Sequence, residues 1–186
     1  MIKYAIVGNI ASGKSTVEKL LQDKGYIVAD SDIFAHDLLN NNQDVVNAFK
    51  DYDIFENNKI SRKKLGTIVF KNPELRKKLE NIIHPQVKLE IEKFFIKHQN
   101  EKCVFVSVPL LFECNMENMF DKIIFIYTDD NIRLERLMKR NNFTAQEAKL
   151  RMDSQTNQDE KAHKSDIIIY NNSTVDELAK QLFTSF

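Results

Sequence analysis

Gly8-Asn9-Ile10-Ala11-Ser12-Gly13-Lys14-Ser15, followed by Thr16, has the spacing G-x-x-x-x-G-K-S. Such a loop turns its backbone N–H groups inward, and a helix beginning at its end adds partial positive charge, so it cradles phosphate. In this pattern Lys14 reaches the β- and γ-phosphates, and the Ser15 hydroxyl binds Mg²⁺. The flanks agree with this chemistry. Ile2 to Val7 is a short apolar run suited to a strand, Val17, Leu20 and Leu21 recur at helical spacing, and Gly25 marks a helix end. The plain alternative is a glycine turn with a solvated lysine, but the strand–loop–helix setting favours a phosphate site. The ligand expected here is a nucleoside triphosphate.

A second chemical stretch is Tyr26-Ile27-Val28-Ala29-Asp30-Ser31-Asp32, a strand-like run ending in two carboxylates. With the first strand and its helix it makes a β-α-β unit. Ligands of parallel sheets bind beyond the carboxyl ends of the strands, which sets Asp30, Asp32 and the loop at one sheet edge. Residues two apart in an extended segment point the same way, so both carboxylates can face one pocket. The competing role for Asp32 is the N-cap of a helix over Ile33 to Leu39. Capping and catalysis are compatible.

The elements that must position these groups follow from the rest of the chain. Its 186 residues suit one domain with small subdomains, and 42% hydrophobic content is enough for a real core. Lys and Arg number 27 against 27 Asp and Glu, so no bulk attraction to nucleic acid or to an anionic membrane is expected. Cys103 and Cys114 have no metal-ligand spacing, which points to reduced thiols in a cytoplasm. The first strand begins at the N-terminus, leaving no room for a signal peptide, and no apolar run reaches membrane-spanning length.

From Ile33 to about Gln99 the pattern is helical with frequent breaks. Val45, Val46 and Phe49 suggest one helix. Ser61 caps another that carries Leu65, Ile68 and Val69, and Pro73 opens a third with the stripe Leu75, Leu79, Ile82 and Ile83. Pro85 separates that helix from one with Val87, Ile91 and Phe94. So long a crossover reads as an inserted helical subdomain, the place where a kinase binds its acceptor. The basic residues from Lys59 to Lys78 read as a solvated face, and His84 as a structural histidine or a pocket residue. Cys103 to Val108 is a buried strand ending in Pro109-Leu110-Leu111-Phe112-Glu113. A switch GTPase or motor ATPase would end such a strand in a Mg²⁺-supporting Asp, and the proline counts against both. Ile123 to Tyr127 and Ile167 to Tyr170 are further strands. Between them Arg136 and Arg140 share a helix face. Thr144 with Glu147 boxes the next helix, which holds Arg151 and Gln155, and Thr174 with Glu177 boxes the last.

Together these residues resemble the dephospho-coenzyme A kinase family over essentially the whole chain. The resemblance rests on the glycine loop, Asp30-Ser31-Asp32, Leu79-Glu80-Asn81-Ile82-Ile83-His84-Pro85 and Val108-Pro109-Leu110-Leu111-Phe112-Glu113. Arg136, Arg140, Gln155 and Ser165-Asp166-Ile167-Ile168 with Asn171 complete it. It implies an α/β P-loop kinase with a five-stranded parallel sheet flanked by helices, an inserted helical acceptor subdomain and a helical lid. The boundaries expected are a core over about 1–32, 101–135 and 157–186, an acceptor subdomain over about 33–100 and a lid over about 136–156. Three places depart from the family pattern. Asn9 and Ala11 replace loop glycines, and Ala11 is expected to keep an ordinary right-handed backbone. His36 replaces an arginine, and Asn172 and Ser173 replace a glycine turn.

The implied reaction is ATP-dependent phosphorylation of the ribose 3′-hydroxyl of dephospho-coenzyme A, the last step of coenzyme A biosynthesis. Asp32, Lys14 and Arg140 are the catalytic candidates. The nucleotide set is Gly8, Asn9, Ile10, Ala11, Ser12, Gly13, Lys14, Ser15, Thr16, Arg136, Arg140 and Asn171. The acceptor set is Asp30, Asp32, His36, His84, Leu110 and Glu113, with Mg²⁺ on Ser15. The expected protein is cytoplasmic, a monomer or weak homo-oligomer, with no nucleic-acid or membrane partner. Two alternatives stay open: another small-molecule kinase of the same loop class, acting on a nucleoside, nucleotide or shikimate, and a slow nucleotide-dependent switch.

Overall fold

The structure is a computed structural model and describes residues 1–57 and 59–186. In chain order β1 (Ile2–Val7) leads to α1 (Lys14–Asp23), and β2 (Val28–Asp30) runs directly into α2 (Ser31–Leu39). Next come α3 (Gln43–Ala48), a hairpin of β3 (Phe55–Glu56) and β4 (Lys59–Ile60), α4 (Arg62–Lys71) and α5 (Pro73–Lys97). The chain then forms β5 (Cys103–Ser107), β6 (Lys122–Tyr127), α6 (Asp130–Asn141) and α7 (Ala145–Asp153). It closes with α8 (Gln158–His163), β7 (Ile167–Tyr170) and α9 (Val175–Thr184).

The chain divides into two compact units, Met1–Ala29 with His98–Phe186, and Asp30–Lys97. The first is built on the sheet β2-β5-β1-β6-β7. Its central strand β1 pairs in parallel with β5, Ile2 opposite Cys103, and with β6, Tyr4 opposite Lys122. A parallel sheet is covered on both faces, so its inner strands read as continuous apolar runs instead of alternating ones. Ala5, Ile6, Val7 and Val104 to Val106 are accordingly sealed from solvent. Val17 and Leu21 of α1 and Leu178 and Leu182 of α9 pack with Tyr4, Ile6, Phe105, Ile124, Ile126 and Ile169 into one core.

The second unit is organised on α5, which buries Ile83, Val87, Ile91 and Phe95 at a spacing of one helical turn. Two expectations are corrected here. Pro85 does not divide the segment: one helix of 25 residues runs through it. An internal proline removes one hydrogen bond and costs about 3 kcal/mol, and the unbroken buried stripe on either side offsets that loss. Residues 33 to 99 are also not wholly helical, since β3 and β4 pair antiparallel with Phe55 opposite Ile60. The cap expected at Ser61 is present, accepting from Lys64 N, and Pro73 takes the expected first helical position, with Asn72 Oδ1 accepting from Glu74 N and Leu75 N.

Candidate active site

The loop after β1 is shaped by close contacts. A Cβ on Gly8 would collide with Ser12 Oγ and stand 3.2 Å from the Ile126 carbonyl oxygen. Gly13 takes φ 91°, and a Cβ there would strike Asn171 Nδ2. Ala11 overturns the expectation of an ordinary backbone: its φ is 63°, left-handed. For an L-residue that conformation costs about 1–2 kcal/mol, and the surrounding contacts must hold it.

Those contacts are numerous. Ser12 O accepts from Thr128 Oγ1 at 2.9 Å and from Asn171 Nδ2 at 2.7 Å. Ile10 N donates to Gln155 Oε1 at 2.7 Å, and Ile10 O accepts from Arg133 Nε at 3.0 Å. Asn9 Nδ2 donates to Thr156 O at 2.9 Å. The loop is therefore tied to the protein at Asn9, Ile10 and Ser12, while Asn9 Oδ1 and Ser12 Oγ are buried without hydrogen-bond partners among the described residues. Gly13 caps α1, leaving the Lys14 and Ser15 amides at the open helix end, where N–H groups have no partner within the helix. This is an anion cradle set before any anion arrives.

Lys14 Nζ pairs with Glu18 Oε1 at 3.1 Å and donates to Ser107 Oγ. Ser107 is fully buried at the end of β5, two residues before Pro109. Arg136 donates through Nη2 to Asn171 O at 3.0 Å, while its Nη1 is buried without a hydrogen-bond partner. That Nη1 would lie 3.8 Å from a Cβ on Gly13, so an unused cationic donor stands beside the loop. Arg140 is exposed and donates to Asn141 Oδ1 at 2.9 Å. Asn171 is buried and spends its side-chain amide on the loop. Ser15 is exposed, and its hydroxyl makes no hydrogen bond among the described residues.

Three contributors escape the sequence reading. Arg133, 3% exposed, lies one turn before Arg136, and its spacing to Arg136 and Arg140 was visible as a third arginine on one face. Burial lowers its pKa, and the Asp130 carboxylate 2.8 Å away works against that shift. Glu18 and Lys161 gave no local signal. Lys161 in α8 is 1% exposed, and its Nζ lies 2.6 Å from Glu113 Oε1.

A cleft of 560 Å³ opens beside Asn9 and Arg133, but Asp129, Asp130, Asp153 and Asp159 line it. That charge disfavours a triphosphate there, whereas Lys14 and Arg136 bring cationic groups to the loop. Leu110 is 46% exposed in the turns after β5, near Glu113 in sequence.

The second unit carries Asp30, Asp32, His36 and His84. Asp30, not Asp32, is the cap of α2: its Oδ1 accepts from Asp32 N at 2.9 Å. The helix starts at Ser31, so Asp32 is already helical and the alternation of extended residues does not apply to the pair. His36 lies in the last turn of α2. His84 is half-buried in α5, and burial lowers its pKa, with Glu80 opposing and Lys88 adding to the shift.

No group of three or more His, Cys, Asp or Glu among the described residues could hold a metal ion. The Ser15 hydroxyl is a hard oxygen donor of the type Mg²⁺ takes.

The chain matches the model of the family described as Dephospho-CoA kinase (CoaE) over residues 2–177. It is 41% identical to a dephospho-CoA kinase of Listeria innocua, covering 96% of this chain and 92% of that one. It is also 41% identical to one of Geobacillus kaustophilus, covering 97% and 93%. Among solved structures it resembles the dephospho-CoA kinase from Campylobacter jejuni, with TM-score 0.78, 34% identity and coverage of 98% and 94%. A shikimate kinase from Aquifex aeolicus shares the fold at TM-score 0.55 and 18% identity, over 99% of this chain and 95% of that one.

Proposed function

The chain belongs to the dephospho-CoA kinase family, and from that premise we propose how its residues divide the work of the reaction. It is a kinase that uses ATP to phosphorylate dephospho-coenzyme A, the last step of coenzyme A biosynthesis. Phosphoryl transfer asks little covalent chemistry of a protein and much positioning and charge stabilisation. The loop Gly8–Thr16 holds the phosphates, Lys14 leaves Glu18 to meet the β- and γ-phosphates, and Arg136 supplies its unused Nη1. Arg140, one turn further along α6, belongs to the lid over about 136–156 and closes on the transferring group. Asn171 sets the loop from behind. The Ser15 hydroxyl would hold Mg²⁺ brought with ATP, which would supply neutralisation of phosphate charge.

The acceptor side falls to Asp30, Asp32, His36, His84, Leu110 and Glu113. The ribose 3′-oxygen attacks the γ-phosphorus, the bond to the bridging oxygen breaks, ADP leaves, and Asp32 takes the hydroxyl proton. What supports Asp32 is its place in the first turn of α2, immediately after a sheet strand. His84, kept neutral by burial, is suited to hydrogen bonding in place of charge pairing. A cytoplasmic setting and a monomer or weak homo-oligomer belong to the same reading. No helix among the described residues is long and apolar enough to cross a membrane.

The observation that carries the reading is the buried, unpartnered Arg136 Nη1 beside the loop, whose carbonyl Ser12 O and amide Ile10 N are already bonded to the protein. The test is ADP release measured against dephospho-coenzyme A, nucleosides and shikimate, with and without a Mg²⁺ chelator. Turnover with dephospho-coenzyme A alone, lost with the chelator, is expected. Equal turnover with shikimate would remove the acceptor assignment. Lys14→Ala should lose roughly 10²–10³-fold of that turnover, the scale of one electrostatic donor, with its melting unchanged.

A further inference from the structure

Lys161 is a buried charge that the mechanism above does not use. It is 1% exposed, and its Nζ meets one counter-charge, Glu113 Oε1, at 2.6 Å, with an approach angle outside that of a hydrogen bond. Burying an ammonium group is costly unless it is paired, so Glu113 is drawn to one place. The same Oε1 accepts from Thr156 Oγ1 at 3.3 Å. Thr156 in turn gives its carbonyl oxygen to Asn9 Nδ2 at 2.9 Å, and its neighbour Gln155 takes the Ile10 amide at 2.7 Å. A continuous polar path thus runs from α8 through the segment after β5 and the end of the lid to the phosphate loop. It enters the loop at the side chain of Asn9.

We propose that Lys161 is a positioning residue for nucleotide binding: by fixing Glu113 it holds Gln155 and Thr156 against Asn9 and Ile10, and so sets the loop. The proposal rests on the assignment of Gly8–Thr16 to the nucleotide. Neutralising Lys161 frees Glu113 from the buried charge, loosens Thr156 and lets the Ile10 amide open. The loop then pays an ordering cost each time ATP binds, which appears in the KM for ATP and not in the transfer step.

The test compares Lys161→Met, Lys161→Arg and Thr156→Val. Amide exchange is measured without ligand at Ile10 and, as a reference, at Phe125 in β6; steady-state kinetics are measured with ATP and dephospho-coenzyme A. Lys161→Met is expected to speed Ile10 exchange and raise the KM for ATP by about fivefold each, the net scale of one ordinary hydrogen bond. Phe125 exchange and kcat should stay near wild type, and Lys161→Arg should restore both readouts. Thr156→Val, a milder change, covers the case in which Lys161→Met does not fold, and should move both in the same direction. Equal acceleration at Ile10 and Phe125 is global loosening and overturns the proposal, as does an unchanged Ile10. Faster Ile10 exchange with an unchanged KM for ATP overturns the link to binding. Lys14→Ala in the same assay separates the two failures, because full activity there removes the loop assignment itself.

Discussion

Lys14 Nζ and Glu18 Oε1 stand 3.1 Å apart, one turn along α1, with 17% and 16% of their side chains exposed. The lysine that must meet phosphate is held by a carboxylate of its own helix. Pairs of this spacing are worth roughly 0.3–0.5 kcal/mol, so Glu18→Gln should lower the KM for ATP about twofold and leave kcat and melting nearly unchanged. A raised KM would mean that Glu18 aims Lys14 toward the nucleotide.

Asp30 and Asp32 can be separated by stability and rate. Asp30 caps α2, so Asp30→Ala should cost about 1 kcal/mol in denaturant unfolding, while Asp30→Asn keeps the cap. Asp32 is not the cap. Asp32→Asn should cost little stability and lower kcat by roughly 10²–10⁴-fold, the worth of a placed base. Normal turnover by Asp32→Asn together with a dead Asp30→Asn would exchange their roles.

Ala11 at φ 63° should accept glycine. Relief of about 1–2 kcal/mol of left-handed strain is partly cancelled by glycine's freer unfolded chain, about 0.4–1 kcal/mol. Ala11→Gly should therefore raise stability slightly, and Ala11→Val should lower it, as thermal or urea unfolding would reveal. A clear loss in Ala11→Gly would mean that the alanine methyl group is packed to effect.

His84 sets a pH dependence. Its folded pKa is lowered by burial from the ordinary 6.5, so the unfolded chain takes the proton first. Its contribution is complete above about pH 6.5 and is lost as pH falls from there through the folded value. Melting temperature should decline over that window in the wild type and decline less in His84→Gln. Parallel curves for the two proteins would remove His84 as the cause.

What the sequence made legible was periodic or local: the strands of the sheet, the caps at Ser61 and Thr144, and the loop with its flanking helix. What it hid was set by distant partners. Ala11 is left-handed beside Ile10, which distant Gln155 and Arg133 hold from both sides, and no pattern near Ala11 says so. Pro85 reads as a stop, and only the tertiary stripe from Ile83 to Phe95 lets the helix continue. The Thr174 box is half formed: Thr174 accepts from Glu177 N, but the Glu177 carboxylate takes the Ser173 hydroxyl instead. Lys161 looked like any surface lysine until a carboxylate 48 residues earlier in sequence was found against it.

The pairing of β1 bears on how the chain is made. Ile2 faces Cys103 and Tyr4 faces Lys122, so the strand that leads into the loop is synthesised about 100 residues ahead of both neighbours. At roughly 5–20 residues per second, the nascent strand waits on the order of 5–20 s with its apolar edges unpaired. The helices of Asp30–Lys97 need only nearer contacts, and such contacts form sooner than long-range strand pairs. The strand that leads into the loop is thus made early and is among the last to reach its working shape, and a chain halted before β6 carries helices but lacks one of the two strands that flank β1.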